Sequence, residues 1–183
     1  MDIFIEEKVS KEPYLKDITI DKIINITGES GSGKSTFTNK YLSDDNYIVI
    51  DTDEIIGDRP TNNKNCVDIR KFLIDKYGDN IPNLCEDFDT IYKDILDYYK
   101  NTDKFLVIDS AQFRNTKDLS ILKGKIIIIR TSIDLCYERC LERYSKLYPD
   151  ATEEEKYNYA NRKKRIYDWY PKLNEFIKRI DDL

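Results

Sequence analysis

The sequence predicts an α/β fold, with a parallel, doubly wound sheet of four to five strands and a helical layer on each face. The first observation is a set of short, nearly continuous aliphatic runs, which are typical of parallel strands covered on both faces. These runs occupy residues 22–27, 46–50, 104–108 and 125–131. The second observation is a set of helical candidates between and after these runs, at about residues 34–43, 66–77, 86–100 and 133–148. This alternation predicts a three-layer arrangement, in which helices connect parallel strands.

The first predicted strand, KIINIT, leads into a glycine-rich segment, GESGSGKS, at residues 28–35. Three of the six glycines in the chain lie in this segment. Glycine allows backbone amides to close around a ligand because it has no Cβ. The spacing satisfies G-x-x-x-x-G-K-[ST], the Walker A phosphate loop. The context also fits, since a strand precedes the loop and the helical segment KSTFTNKYL follows it.

The phosphate loop predicts that the protein uses ATP and Mg²⁺. Loop amides and the N-terminus of the following helix would surround phosphate oxygens. We expect Lys34 to reach the β- and γ-phosphates and to face solvent in the free protein, and Ser35 to ligate Mg²⁺. The residues expected to contact the nucleotide are Gly28, Ser30, Gly31, Ser32, Gly33, Lys34, Ser35 and Thr36.

Acidic residues follow the second and third predicted strands. Asp51 and Asp53 form a D-x-D after NYIVI, and Asp109 follows KFLVI. In an open parallel sheet these strand ends lie along the edge where ligands bind. We expect Asp109 and Asp51 to help hold Mg²⁺, and Asp53 to orient the acceptor and take its proton. The alternative for the D-x-D is that one carboxylate caps the next helix and the other is solvated.

Arginines complete the set of candidate residues. Arg114 in DSAQFRN, and Arg59 beyond the D-x-D, are candidates for holding an acceptor phosphate or carboxylate in a fork geometry. Arg139 and Arg143 lie four residues apart and therefore share one face of the last predicted helix of the set. We expect this pair to neutralise charge on the transferring phosphoryl group. The alternative is a solvated face shared with neighbouring glutamates.

The remaining segments predict a single domain over residues 1–183. Residues 1–21 form an N-terminal extension, and residues from about 139 to 170 form a lid and C-terminal helices. Thr152 followed by Glu155 predicts a capping box at a helix start. The segment EFIKRI, near residues 175–180, is a candidate for the fifth strand of the sheet.

Composition narrows the classes of function. The net charge of -5 and the pI near 5.0 disfavour a general nucleic-acid coat, although a nucleic-acid acceptor stays open. No apolar run approaches the ~20 residues of a membrane span, and the first residues lack the features of a signal peptide, so we expect a cytoplasmic protein that does not enter a membrane. The chain has no histidine, which excludes Ser-His and Cys-His nucleophiles. The oligomeric state is left open.

Three segments together resemble the P-loop kinases of small molecules, the superfamily of nucleoside and nucleotide kinases. They are GESGSGKST, VIDSAQFR and IIIIRTSIDLCYERCLER, and the resemblance spans about residues 22–148. The segment IVIDTDEI is similar to shikimate kinases and to zeta-toxin sugar kinases, in which an aspartate after the second strand faces an acceptor hydroxyl. The glycine triplet of shikimate kinases and the glutamate-arginine-serine pattern of deoxynucleoside kinases are absent. The resemblance implies a P-loop NTPase fold.

These observations predict an ATP- and Mg²⁺-dependent kinase that transfers the γ-phosphoryl group to a small acceptor, with a nucleoside or nucleotide favoured. Three alternatives stay open: a polynucleotide 5′-hydroxyl kinase, a zeta-toxin-like sugar kinase, and a non-catalytic, ATP-binding regulatory module. Two carboxylates at one strand end would repel an anionic acceptor, which favours a hydroxyl acceptor with Asp53 as the base.

Overall fold

The computed structural model describes residues 14–17, 22–56 and 61–182. The strands within these ranges are β1 (Tyr14–Asp17), β2 (Ile23–Thr27), β3 (Tyr47–Asp51), β4 (Phe105–Asp109) and β5 (Lys125–Ile128). The helices are α1 (Lys34–Tyr41), α2 (Thr52–Ile55), α3 (Lys64–Tyr77), α4 (Phe88–Tyr98), α5 (Ile133–Leu147), α6 (Glu153–Lys163) and α7 (Ile166–Asp181). Short 3₁₀ turns at Ala111–Asn115 and Leu119–Ile121 connect β4 to β5.

The described strands form one sheet in the order β1-β5-β2-β4-β3. Strands β5, β2, β4 and β3 are parallel, whereas β1 pairs antiparallel with β5 at the edge. The prediction of an α/β fold with a parallel sheet is therefore confirmed. The sheet also has a fifth strand, which the backbone of the N-terminal extension supplies at residues 14–17.

The candidate fifth strand EFIKRI was wrong, because residues 175–180 lie inside α7. The buried residues of α7 explain the helix: Leu173, Phe176, Ile177 and Ile180 follow the spacing i, i+3, i+4 and i+7. This spacing places four apolar side chains on one helical face, whereas a half-buried strand needs alternation. The segment EFIKRI does not include Leu173, so the three-residue spacing from Leu173 to Phe176 is not visible within it. These six residues alone therefore did not show the helical period.

Helices cover both faces of the sheet, as the sequence predicts. One face presents alternate strand residues, such as Ile50, Ile108 and Ile126, to buried side chains of α3, α4 and α7. The intervening residues, such as Val107 and Ile127, face the opposite way and pack near α1. Burial on both sides accounts for the nearly continuous aliphatic runs.

Helices α5 and α6, which span most of the segment predicted as a lid, pack against each other through tyrosines. The rings of Tyr144 and Tyr159 stack with centroids 4.1 Å apart, and the Tyr137 hydroxyl donates to the Ala160 carbonyl at 3.2 Å. The predicted capping box at Thr152 and Glu155 is confirmed. Among the described helices, none combines the length and the apolar character that a membrane span requires.

Candidate functional site

The carboxyl ends of the parallel strands meet at a cleft of about 740 Å³. The phosphate loop, α1, the ends of β3 and β4, and α5 all contribute to its walls. The predicted site residues that line the cleft are Ser30, Gly31, Gly33, Lys34, Ser35, Thr36, Asp51, Asp53, Asp109, Arg139 and Arg143. Gly28, Ser32 and Arg114 lie outside its lining, and Arg59 falls outside the described residues. Residues far apart in sequence therefore converge at one edge of the sheet, as the topology predicts.

The phosphate loop needs glycine at two positions of close backbone approach. A Cβ on Gly28 would lie 2.3 Å from the Ile129 carbonyl oxygen, and one on Gly31 would lie 2.6 Å from the Cys136 carbonyl oxygen. Gly31 also has a φ of +80°, which side chains with a Cβ rarely adopt. The loop is thus fixed against β5 and α5 by contacts that only glycine permits.

Lys34 is the first residue of α1, and its side chain returns towards the loop. Its Nζ donates to the Glu29 carbonyl at 3.2 Å, and the side chain is half-buried. The expectation that Lys34 faces solvent was therefore wrong, because the loop provides a backbone acceptor for the ammonium group. Thr131, which follows β5, also holds the loop, since its hydroxyl donates to the Ser32 carbonyl at 2.6 Å.

Asp51 and Asp53 reach the cleft by a different route from the predicted extended D-x-D. Asp51 ends β3, and α2 begins at the next residue, so Asp53 is already helical. The Asp51 carboxylate accepts a hydrogen bond from the Asp53 amide at 2.9 Å, which makes Asp51 the N-cap of α2. Asp53 is exposed, so the alternative of one capping and one solvated carboxylate is confirmed, while both residues line the cleft.

Asp109 lies beside Asp51 in the register of the neighbouring strands β4 and β3. Its buried carboxylate accepts a hydrogen bond from the Thr38 hydroxyl at 3.4 Å. Burial raises the pKa of Asp109, and nearby Lys34 opposes this shift. Burial also raises the pKa of Asp51 to about 7, and the neighbouring charges of Asp109 and Asp53 act in the same direction. A cation in the cleft would relieve this repulsion.

The residues predicted to hold Mg²⁺ fit a hard cation. Ser35, Asp51 and Asp109 supply hydroxyl and carboxylate oxygens to the same cleft as the phosphate loop. Within the described ranges, no group of three or more histidine, cysteine or acidic side chains is arranged to hold a metal ion. Mg²⁺ does not require such a cage, since it usually combines one or two carboxylates with water and phosphate oxygens.

Arg114 has a different partner from the predicted acceptor. Its guanidinium forms an ion pair with the Glu29 carboxylate at 3.3 Å, and the two side chains are 4% and 3% exposed. The guanidinium also donates to the Ala111 carbonyl at 2.8 Å and lies 4.8 Å from the ring centroid of Trp169 in α7. Burial raises the pKa of Glu29, and Arg114 and Lys34 oppose that shift. The ion pair therefore ties the phosphate loop to the segment after β4.

Sequence reasoning missed Glu29, because the residue occupies one of the unrestricted positions of the loop motif. Its neighbours in sequence gave no indication of burial. The matching indication was Arg114 itself, a charged residue next to Phe113 in the mixed polar and apolar segment between β4 and β5. An arginine in such a place needs an acidic partner, but the sequence alone does not say which carboxylate meets it.

Arg139 and Arg143 both line the cleft from α5. The Arg139 guanidinium donates to the Gly31 carbonyl at 3.1 Å, whereas Arg143 is exposed. Phe37 and Tyr41 line the cleft as well, with ring centroids 4.9 Å apart, and Tyr41 is 56% exposed. The cleft thus combines positive charge, aromatic surface and carboxylates.

The fold and the site define an α/β protein whose parallel sheet presents a glycine-rich loop, a lysine and three carboxylates to a single cleft. No protein-family model matches the chain, and the curated proteins include no significantly similar sequence. The residues of the cleft are therefore the basis on which a function can be inferred.

Proposed function

We propose that this protein is an ATP- and Mg²⁺-dependent kinase with a P-loop NTPase fold, which transfers the γ-phosphoryl group to a small acceptor. One observation carries the proposal. The phosphate loop, with Lys34 at the start of α1, lines one cleft together with the carboxylates of β3 and β4, and two arginines of α5 line the same space. A phosphate-binding wall and a proton-accepting wall are the two parts that phosphoryl transfer to a hydroxyl needs.

The loop wall would bind the donor nucleotide. Loop amides and the N-terminal end of α1 attract phosphate oxygens, and Lys34 would leave the Glu29 carbonyl to contact the β- and γ-phosphates. Phe37 and Tyr41 extend this wall with two rings that offer apolar surface to a nucleotide base. The wall therefore favours a nucleoside triphosphate over an inorganic phosphate.

The carboxylate wall would receive the acceptor. In the transfer step, the acceptor oxygen bonds to the γ-phosphorus while the bond from that phosphorus to the β,γ-bridging oxygen breaks, and ADP leaves. The hydroxyl proton goes to Asp53, which is exposed and lines the cleft. The protein's main contribution is to position the two substrates and to stabilise charge.

Two groups of residues would stabilise the negative charge of the phosphates during the transfer. Ser35, Asp109 and Asp51 would hold Mg²⁺, which supplies positive charge at the β- and γ-phosphate oxygens. Arg139 and Arg143 would neutralise the phosphoryl group as it moves. Arg139 already contacts the loop carbonyl of Gly31, which places its guanidinium beside the phosphate-binding backbone.

A nucleotide-binding and transfer experiment tests the proposal. Calorimetry should detect ATP binding that Lys34→Ala abolishes, and labelled ATP should give phosphorylated product with at least one member of a pool of nucleosides, nucleotides, sugars and oligonucleotides. ATP binding without transfer to any acceptor would favour the non-catalytic module. Absence of ATP binding would contradict the proposal as a whole.

A further inference from the structure

The lining of the cleft contains two groups of opposite charge. The cations, Lys34, Lys40, Arg139 and Arg143, come from the phosphate loop, α1 and α5. The residues at the ends of β3 and β4 and just after them, which we call the acceptor wall, are Asp51, Asp53, Asp109, Ser110 and Ala111. Among the described residues, no arginine or lysine belongs to the acceptor wall.

The cation nearest in sequence to the acceptor wall is paired with another carboxylate and does not line the cleft. Arg114 lies a few residues after Ala111, but its side chain is 4% exposed and is paired with Glu29 on the other side of the loop. Its stacking on Trp169 fixes the guanidinium further. An acceptor phosphate would have to break a buried ion pair to recruit Arg114, which leaves Glu29 as an uncompensated buried charge.

A further carboxylate lies behind the acceptor wall. Glu54 follows Asp53 in α2, is half-buried, and acts on Asp51 as a like charge. Arg70 of α3 donates to the backbone carbonyl of Glu54 but does not line the cleft. An anion beside Asp53 would thus meet carboxylates of like charge, because the lining cations Lys34, Arg139 and Arg143 would be engaged by the phosphates of ATP.

We propose that the acceptor is a hydroxyl compound that is neutral or cationic and carries no phosphate or carboxylate group. Nucleosides, sugars and amino sugars belong to this class, whereas nucleoside monophosphates and sugar phosphates do not. The inference rests on the proposed kinase function and narrows its substrate. The physical reason is that Mg²⁺ would offset the charge of Asp51 and Asp109, whereas Asp53 and Glu54 would keep their negative charge next to the acceptor and would repel an anion.

Matched acceptors test the inference. Labelled ATP, Mg²⁺ and the full chain would be assayed with adenosine against AMP, and with glucose and glucosamine against glucose 6-phosphate. We expect kcat/KM for the anionic member of whichever series is used to be at least ~100-fold below that of its neutral counterpart. If glucosamine is a substrate, its KM should rise with ionic strength, because salt screens the attraction of its ammonium group.

A charge variant outside the proposed catalytic and metal-binding residues gives a second test. Glu54→Gln should leave kcat/KM for the neutral acceptor unchanged and weaken the discrimination against its anionic counterpart by about 2- to 5-fold, the scale of a single partly screened charge. Asp75→Asn, an exposed change on α3, removes one charge away from the cleft and should leave the discrimination as it is.

The outcomes separate this inference from the proposed function. Transfer that favours AMP, glucose 6-phosphate or a 5′-hydroxyl oligonucleotide would confirm a kinase and overturn the inference. An unchanged preference in Glu54→Gln would also contradict it, since negative charge next to the acceptor wall would then not set the discrimination. Lack of transfer from ATP to every acceptor would overturn both.

Discussion

The two walls of the cleft differ in charge and in the way the chain builds them. The phosphate-binding wall comes mostly from one continuous segment, residues 28–41, in which a motif of fixed spacing sets the position of each group. The acceptor wall is assembled from the ends of β3 and β4, which lie more than fifty residues apart in sequence. The phosphate-binding wall can therefore be predicted from a local motif, whereas the acceptor wall can be predicted only from the topology of the sheet.

The largest expected effect is that of a substitution in the phosphate-binding wall. Lys34→Ala should lower kcat/KM by about 1,000-fold or more, because in the proposed function the ammonium group would contact the phosphates that carry the developing charge. The free energy of unfolding should change by less than about 1 kcal/mol, since the observed contact of Nζ is one hydrogen bond to a carbonyl. Steady-state kinetics and urea denaturation measure the two quantities.

Lys40→Ala is the matched control for Lys34→Ala. Lys40 lines the same wall but lies outside the loop motif, with its ammonium 5.2 Å from the ring centroid of Tyr41. Its loss should change kcat/KM by no more than about 5-fold, in keeping with the modest strength of an exposed cation–π contact. Equal losses in the two variants would mean that overall charge, and not the loop lysine, governs activity.

The second prediction concerns the ion pair behind the walls. Arg114→Ala should lower the free energy of unfolding by about 3–5 kcal/mol, because Glu29 then remains buried without its partner. The protein that stays folded should keep its acceptor KM within about 3-fold. Chemical denaturation and kinetics at low temperature separate the two effects.

The double variant Glu29→Gln with Arg114→Ala tests the same pair. It should recover part of the lost stability, since no buried charge is left alone, and the double-mutant cycle then gives the coupling energy. An Arg114→Ala protein of unchanged stability with a strongly raised acceptor KM would instead give Arg114 the predicted acceptor-binding role.

The third prediction concerns a substitution in the acceptor wall. Asp53→Asn should lower kcat by about 100-fold or more, the usual scale for the loss of a general base, and should keep the Kd for ATP within a few-fold. A nearly active Asp53→Asn protein would show that the acceptor hydroxyl needs no carboxylate base.

The sequence predicted most of the sheet, because the strand residues are buried on both faces and leave a clear aliphatic pattern. It did not predict α2 or the ion pair between Arg114 and Glu29. A four-residue helix has too few residues to show a period, so Asp51 and Asp53 read as an extended pair. The partner of Arg114 lies 85 residues away, in a loop position that the motif leaves free.

Lys34 shows a related limit of the loop motif. The pattern G-x-x-x-x-G-K-[ST] describes the loop with phosphate bound, and it says nothing about which group replaces the phosphate in the free protein. The Glu29 carbonyl takes that place at 3.2 Å from Nζ. The positions of Asp109, Arg139 and Arg143 were predictable, since each depends on a strand end or on helical spacing.

The fourth prediction compares the two arginines of the phosphate-binding wall. Arg139→Ala and Arg143→Ala should each lower kcat by about 100-fold with little change in the Kd for ATP, because the phosphoryl group in transfer demands more charge than the bound ground state. Glu142→Gln, an exposed neighbour on α5, is the control and should stay fully active. Normal kcat in both arginine variants would assign them to a solvated helix face.

The smallest expected effect concerns the pH dependence of stability at the acceptor wall, measured with a chelator present. Burial raises the pKa of Asp51 to about 7 from an ordinary value of 3.8, so the folded protein binds this proton more tightly than the unfolded chain does. The Asp51 carboxyl therefore reduces stability as pH rises from about 4 to about 7, and the full cost is present above pH 7.

Asp51→Asn removes this ionisation and keeps a side-chain oxygen for the Asp53 amide. The rise in the pKa of Asp51 from 3.8 to about 7 corresponds to roughly 4 kcal/mol, and solvent screening at this half-buried carboxyl reduces that cost. At pH 8 the variant should therefore exceed the wild type in stability by at least about 1 kcal/mol, or roughly 2–4 °C in Tm for a chain of this length, and the gain should vanish near pH 4. Asp75→Asn on α3, which is exposed and outside the cleft, should show no comparable trend. A gain that is constant from pH 4 to pH 8 would mean that neither burial nor the neighbouring carboxylates raise the pKa of Asp51 in the folded protein.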